Sequence, residues 1–110
     1  MSVLRVGLVG AGKIGAKRAR EVARAQDSRL VAVVDSDAAR ARALAGEYAC
    51  RSGTDWEALV SSREVDAVIV ATTHRWLARV SLGALEAGKH VLCEKPLARN
   101  AAEARPVVAA

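Results

Sequence analysis

The chain has 110 residues, 52% of them hydrophobic, which is enough for one domain with a sizeable core and too apolar for a disordered chain. Its formal net charge is +5, but the arginines are scattered among alanines and acidic residues, which favours solvated helix faces over a nucleic-acid interface. Because the apolar runs are short and Arg5 and Gly7 interrupt the first one, we expect neither a membrane span nor a signal peptide. Cys50 and Cys93 form no C-x-x-C motif, so we expect reduced thiols and a cytoplasmic protein.

The first predicted element is a buried strand over residues 3–9, followed at once by a glycine-rich turn. The turn reads G-A-G-K-I-G and fits the pattern G-x-G-x-x-G. Gly10 allows the tight turn off the strand, Gly12 lets a pyrophosphate approach the backbone, and Gly15 lets the next helix pack against the strand. Lys13 and Ile14 lie between them and are candidate cofactor contacts, although Lys13 suits a solvated position equally well. Glycines placed only for packing are the alternative interpretation.

The segments after the turn supply the context that a dinucleotide site requires. Residues 17–25 predict a helix, and residues 30–34 predict a second buried strand that ends at Asp35. The carboxylate of Asp35 is placed to accept hydrogen bonds from the adenosine ribose hydroxyls, and Ser36 beside it is a further candidate contact. Asp37 follows, with no Arg or Lys directly behind it, so a 2′-phosphate would meet one or two carboxylates. The sequence therefore predicts NAD as the cofactor, with NADP less favoured.

The rest of the chain continues to alternate helices with strands. The pattern predicts a helix over 37–47 capped by Asp37, a weak strand over 48–51 before a Ser52-Gly53 turn, a short helix in which Thr54 and Glu57 form a capping box, a strand over 65–71, a helix over 75–87 closed by Gly88, and a strand over 90–93. Such alternation predicts an α/β fold with a doubly wound parallel sheet, that is, a Rossmann fold. We expect one NAD(P)-binding domain over residues 1–110, incomplete at its C-terminus, because a full fold has about six strands.

Four segments together resemble the glucose–fructose oxidoreductase / inositol dehydrogenase / MocA (Gfo/Idh/MocA) family of NAD(P)-dependent oxidoreductases. They are residues 6–15, 33–35 and 70–72, and above all residues 86–97, which read E-A-G-K-H-V-L-C-E-K-P-L. The resemblance covers nearly the whole chain but only the N-terminal nucleotide domain of the family. It implies an α/β substrate domain that is absent from this sequence, and it implies that the dinucleotide and a small alcohol or sugar are the partners.

The resemblance also implies roles for individual residues. Lys95 would lie near the nicotinamide and the substrate, and Glu94 and Pro96 would shape the loop around the nicotinamide. The residues at the end of the strand predicted over 65–71 would face the cofactor. Ala71, Thr72 and Thr73 are therefore candidate cofactor contacts. A solvated lysine beside a rigid turn is the alternative for Lys95. No metal site is expected.

This chain departs from the family pattern A-T-P-N-x-x-H after that strand. Thr73, His74 and Leu77 replace the proline, asparagine and histidine, so His74 inherits neither role, and a loop histidine and a catalytic base both stay open for it.

Three functions follow in order of preference. The first is the nucleotide-binding portion of a dehydrogenase acting on a sugar, polyol or related alcohol, inactive by itself and able to self-associate. The second is a non-catalytic NAD(P)-binding module, and the last is a nucleic-acid binder.

Overall fold

The chain folds around a parallel sheet of five strands in the order β3-β2-β1-β4-β5. The computed structural model describes residues 3–93. The strands are β1 (Leu4–Val9), β2 (Ser28–Val34), β3 (Arg51–Gly53), β4 (Ala67–Val70) and β5 (His90–Cys93), and the helices are α1 (Lys13–Arg24), α2 (Ala38–Glu47), α3 (Trp56–Ser61) and α4 (His74–Glu86). Every neighbouring pair of strands is parallel, which confirms the predicted doubly wound sheet.

Helices cover both faces of this sheet, and each face has its own hydrophobic cluster. On one face Val6, Leu8 and Val33 pack with residues of α1 and α2, such as Val22 and Leu44. On the other face the cluster contains residues of α3 and α4 together with the opposite side of the strands: Val9, Val34, Leu59, Val68, Val70, Leu77 and Val80. β4 is buried on both sides, as its uninterrupted apolar sequence predicts. Because the strands are parallel, the carboxyl ends of all five lie at one edge of the sheet.

Both α2 and α4 end in the same hydrogen-bonded turn. After α4, the amide of Gly88 donates to Leu85 and that of Lys89 donates to Ala84, with Gly88 at φ 80°, which is a Schellman motif and confirms the predicted role of Gly88. After α2, the amide of Cys50 donates to Ala45 in the same way, but the left-handed position is held by Ala49 at φ 53°.

Several predicted boundaries differ from the observed ones. β2 begins at Ser28 rather than at residue 30, and β4 begins at Ala67 rather than at residue 65. Three further differences have a physical reason. α1 begins at Lys13 rather than at residue 17, because the glycine turn leads directly into the helix. β3 covers Arg51–Gly53, where a turn was expected, because the turn at Ala49 uses the preceding residues. The N-cap of α3 is Asp55 rather than Thr54, since the Asp55 carboxylate accepts hydrogen bonds from the amides of Glu57 and Ala58. The predicted cap of α2 is confirmed, with Asp37 accepting from two amides of the first turn.

The predictions for Glu94, Lys95 and Pro96 lie outside the described residues. Within residues 3–93, the helices are all too short or too polar to cross a bilayer.

Candidate dinucleotide-binding site

Two glycines of the turn after β1 are required by the backbone itself. Gly10 has φ 108°, and a Cβ built on it would collide with the carbonyl oxygen of Ala71 at the end of β4. A Cβ on Gly15 would collide with the carbonyl oxygen of Gly10. The turn therefore folds back on itself and against β4, and only glycine fits at these two positions.

Gly12 is different, because nothing among residues 3–93 requires glycine there. Its φ of −80° is open to any residue, and a Cβ at this position would have no atom of the described residues within 4 Å. A side chain at this point would occupy open space beside the turn. Packing among the described residues therefore does not account for this glycine, and a pyrophosphate is a ligand that needs such a bare backbone.

The N-terminus of α1 presents amides that have no partner in the described part of the chain. Gly12 is the N-cap and provides no side-chain hydrogen bond, and the first helical bond runs from Ala16 to Gly12. Between residues 3 and 93, no hydrogen bond is formed by the amides of Lys13, Ile14 and Gly15. The first turn contains no acidic side chain, and Lys13 and Ile14 are exposed. Such an end of a helix attracts an anion through its free N–H groups and its dipole.

Asp35 stands at the end of β2, opposite the glycine turn. One carboxylate oxygen accepts a hydrogen bond from the amide of Ala11 at 2.7 Å, and the other accepts from the amide of Asp37 at 2.8 Å. Its own amide donates to the carbonyl of Gly53 at the end of β3. A carboxylate has about four lone-pair sites, so each oxygen can still accept from a ribose hydroxyl.

These features border a cleft of about 510 Å³ at the carboxyl ends of the strands, which we call the carboxyl-end cleft. Its lining includes seven of the residues predicted from the sequence: Gly10, Gly12, Asp35, Ser36, Ala71, Thr72 and Thr73. Three predicted residues do not line the cleft but lie beside it in the first turn of α1. They are Lys13 and Ile14, which are exposed, and Gly15, which is buried. Ligands of open parallel α/β sheets bind at this edge.

The cleft also contains residues that the sequence did not single out. They are Arg40, Thr54, Trp56, Trp76 and Val80. Each of three of these residues lies in the first turn of a helix that starts at this edge: Arg40 in α2, Trp56 in α3 and Trp76 in α4. Thr54 directly follows β3. The general rule that the turns after parallel strands line the ligand crevice is the signal that could have found them. Arg40 matters most, because it is a basic residue in the lining of the cleft, where only the carboxylates of Asp35 and Asp37 were expected near the adenosine ribose.

Displaced pKa values among the described residues occur outside the carboxyl-end cleft. Partial burial raises the pKa of the Cys50 thiol, which argues against an activated nucleophile. The side-chain hydrogen bond from Arg5 lowers the pKa of Asp66 to about 2. No three His, Cys, Asp or Glu side chains in the described ranges are grouped so as to hold a metal ion.

A larger groove of about 1090 Å³ lies at the opposite, amino ends of the strands. Its lining includes Arg5 and Arg51, but these guanidinium groups already pair with Asp66 and Glu64. It contains no part of the glycine turn. The carboxyl-end cleft is therefore the better site, despite its smaller volume.

Comparisons with known proteins agree with this geometry. A model of an oxidoreductase family with an NAD-binding Rossmann fold matches residues 4–110. An inositol 2-dehydrogenase of Saccharopolyspora erythraea is 44% identical over 109 residues, which are 97% of this chain and 32% of that protein. A biliverdin reductase structure from Synechocystis, in complex with biliverdin and NADP⁺, gives a TM-score of 0.90 at 32% identity and covers 96% of this chain and 34% of that chain.

The structure of GenD2 from gentamicin A biosynthesis, in complex with NAD, gives a TM-score of 0.95 at 29% identity. It covers 99% of this chain and 31% of that chain. The chain thus spans about a third of the length of the relatives that it matches.

Proposed function

The chain belongs to the Gfo/Idh/MocA family of oxidoreductases with an NAD-binding Rossmann fold, and from that premise we propose that it is the cofactor-binding portion of a dehydrogenase acting on a sugar, polyol or related alcohol. The observation that carries the proposal is the bare backbone at Gly12 beside the unpartnered amides of α1. We assign residues 1–110 to one such domain. The substrate class rests on the family and on relatives such as the inositol 2-dehydrogenase.

Each part of the cofactor has residues suited to it. The pyrophosphate would accept hydrogen bonds from the amides at the start of α1, with Lys13 near enough in sequence to add positive charge. Asp35 and Ser36 would contact the adenosine ribose from the end of β2. Ala71, Thr72 and Thr73 would border the nicotinamide half, since they follow β4, the strand next to β1 on the side away from β2.

Lys95 is the residue to which we assign the catalytic role. When bound, the nicotinamide accepts or donates a hydride at its ring carbon. Lys95 would hold the substrate hydroxyl by a hydrogen bond and take its proton as the hydride leaves the carbon. Glu94 and Pro96, on either side, would fix the loop that presents this amine.

We propose that the site prefers NADH to NADPH by about 10- to 100-fold. A 2′-phosphate at Asp35 would bring like charges to about 4 Å, where the repulsion is about 4 kcal/mol at an effective dielectric of 20, before screening. Arg40 also lines the cleft, and its positive charge would offset part of this repulsion. Titration calorimetry with both cofactors is the test: Asp35→Ser should narrow the preference, and Arg40→Ala should widen it. Tighter binding of NADPH than of NADH by the unmodified chain would contradict the assignment.

The location of the site is tested by one substitution and a matched control. Gly12→Val should weaken NADH binding by at least about tenfold, because the new side chain fills the space that the pyrophosphate needs. Gly46→Val is the control, since Gly46 in α2 also has open space around it but does not line the carboxyl-end cleft. Calorimetry on the three proteins measures the difference. Equal NADH affinity in the unmodified chain and Gly12→Val would refute the site.

A further inference from the structure

The glycine turn is tied to the end of β2 by two hydrogen bonds of different kinds. The first runs from the amide of Gly10 to the backbone carbonyl of Val34 at 2.7 Å, and any residue at position 34 would supply it. The second runs from the amide of Ala11 to the carboxylate of Asp35, also at 2.7 Å. Only a side chain with an acceptor at this reach can supply the second bond.

Ala11 is the residue between the two glycines that shape the turn. It is 7% exposed, and in the described part of the chain its amide has Asp35 as its one acceptor. Without that acceptor, the buried N–H would lose its partner, and the turn would keep only the Gly10 bond to β2. An unsatisfied buried donor is unfavourable, so the turn would move to find water.

From this we propose that Asp35 is a positioning residue for the phosphate-binding turn, in addition to its contact with the adenosine ribose. The inference rests on the proposed function, because it concerns the same dinucleotide site. The second oxygen of Asp35 accepts from the amide of Asp37, whose own carboxylate caps α2. Asp35 thus links the turn at the start of α1 to the start of α2, and it holds the turn ready before a ligand arrives.

This role makes a prediction that ribose recognition alone does not. Substitution of Asp35 should weaken ligands that carry a phosphate but lack the adenosine ribose. Reduced nicotinamide mononucleotide is such a ligand, since it has one phosphate and only the nicotinamide ribose. A residue that acts only on the adenosine ribose would leave its affinity unchanged.

The experiment combines amide exchange with titration, both followed by NMR on the 110-residue chain. Asp35→Ala removes both acceptors, and Asp37→Asn is the charge control, because it removes one negative charge nearby and keeps an oxygen for the α2 cap. In Asp35→Ala we expect the Ala11 amide to exchange at least about tenfold faster, relative to Leu8 in the centre of β1, and the affinity for reduced nicotinamide mononucleotide to fall several-fold. Asp37→Asn should leave the exchange of Ala11 within about twofold of the unmodified chain.

Two results would overturn the proposal. One is an unchanged exchange rate at Ala11 in Asp35→Ala, and the other is a loss of NADH affinity with no loss for the mononucleotide. If Asp35→Ala does not fold, Asp35→Asn decides, because its one remaining oxygen cannot serve both amides. Faster exchange at Ala11 then supports the role, and unchanged exchange at Ala11 refutes it. If the unmodified chain binds neither ligand, the proposed function fails, while the exchange rates still decide whether Asp35 holds the turn.

Discussion

Ala49 occupies a backbone position that normally belongs to glycine. The Schellman motifs after α2 and α4 have the same hydrogen bonds, yet one has Ala49 at φ 53° and the other Gly88 at φ 80°. The left-handed conformation costs about 1–2 kcal/mol for a residue with a Cβ. Gly88 is free of this cost and Ala49 is not.

We therefore expect Ala49→Gly to raise the free energy of unfolding by about 0.5–1 kcal/mol. The substitution relieves the backbone strain of the folded state, but part of this gain is offset because glycine has more conformational entropy in the unfolded chain. Gly88→Ala is the reciprocal change and should lower it by a similar amount, since a Cβ there meets no atom of the described residues within 4 Å and the backbone strain is the change that remains. Urea denaturation of the three proteins measures both. A lower stability for Ala49→Gly would contradict this account of the turn.

Asp66 makes part of the stability depend on pH. Hydrogen bonds from the side chain and amide of Arg5 lower the pKa of its carboxyl group from 3.8 to about 2. A carboxyl group whose pKa is lower in the folded state than in the unfolded state adds to the free energy of unfolding. This contribution is complete above the unfolded-state pKa, and it is lost as the pH falls through the folded-state pKa. The contribution should therefore be complete above about pH 4 and disappear towards about pH 2.

The measurement is the difference in Tm between the unmodified chain and Asp66→Asn across that range. We expect the unmodified chain to melt higher at neutral pH and the difference to shrink as the pH falls below about 4. Asp27→Asn, which removes an exposed carboxylate from another turn, controls for the overall change of charge. A difference that is constant with pH would exclude the Arg5 pair as its cause.

At the scale of elements, Lys89 joins two turns at the amino ends of β4 and β5. Its half-buried ammonium group donates to the carbonyl oxygens of Ser62 and Val65, each at 2.7 Å. Lys89→Met keeps much of the apolar stem but leaves both carbonyls without this donor. Because hydrogen bonds to charged groups contribute about 1.5–3 kcal/mol, we expect the free energy of unfolding to fall by about 2 kcal/mol.

Chemical denaturation tests this expectation, with Lys17→Met as the control on the exposed side of α1. The control should change the stability by less than about 0.5 kcal/mol. Equal stability of the two variants would mean that water replaces Lys89 at both carbonyls.

The accuracy of the sequence-based predictions depended on the range of the interactions concerned. Asp37 and Gly88 were predicted correctly because a cap is decided by a few neighbouring residues. The prediction of Thr54 as the cap of α3 was wrong, because the pairing of Gly53 with Val34 on a distant strand extends β3 and shifts the start of the helix to Asp55.

The same limit applies to the site. Glycine spacing indicated the turn and its ligand class, since each glycine acts on its own backbone. The second bond of Asp35 depends on Ala11, 24 residues away, and the approach of Arg40 to the cleft depends on how α2 packs on β2. Neither could be predicted from spacing alone.

At the scale of the whole molecule, we expect the 110-residue chain to bind NADH but not to turn over substrate. It spans about a third of the length of the relatives that it matches. Positioning of the substrate accounts for about 7–11 kcal/mol of a barrier, which Lys95 alone cannot supply. The assay is NADH formation over a panel of sugars, inositols and related alcohols, beside calorimetry that confirms cofactor binding.

Lys95→Ala is the control for this assay, because the proposed role of Lys95 predicts that turnover by this chain is lost in the variant, whereas turnover by a contaminating dehydrogenase is not. Turnover by the unmodified chain that disappears in Lys95→Ala would refute the expectation. A second copy of the chain would then have to complete the substrate site.

The two tryptophans of the chain, Trp56 and Trp76, both border the carboxyl-end cleft. Indole emission overlaps the absorption band of reduced nicotinamide, and the oxidised ring has no such band. Any dinucleotide held in this cleft therefore lies within range of energy transfer from both tryptophans of this chain. We therefore expect reduced cofactor in the carboxyl-end cleft to quench the tryptophan emission and to gain sensitised blue fluorescence of its own, so that binding can be followed without a label.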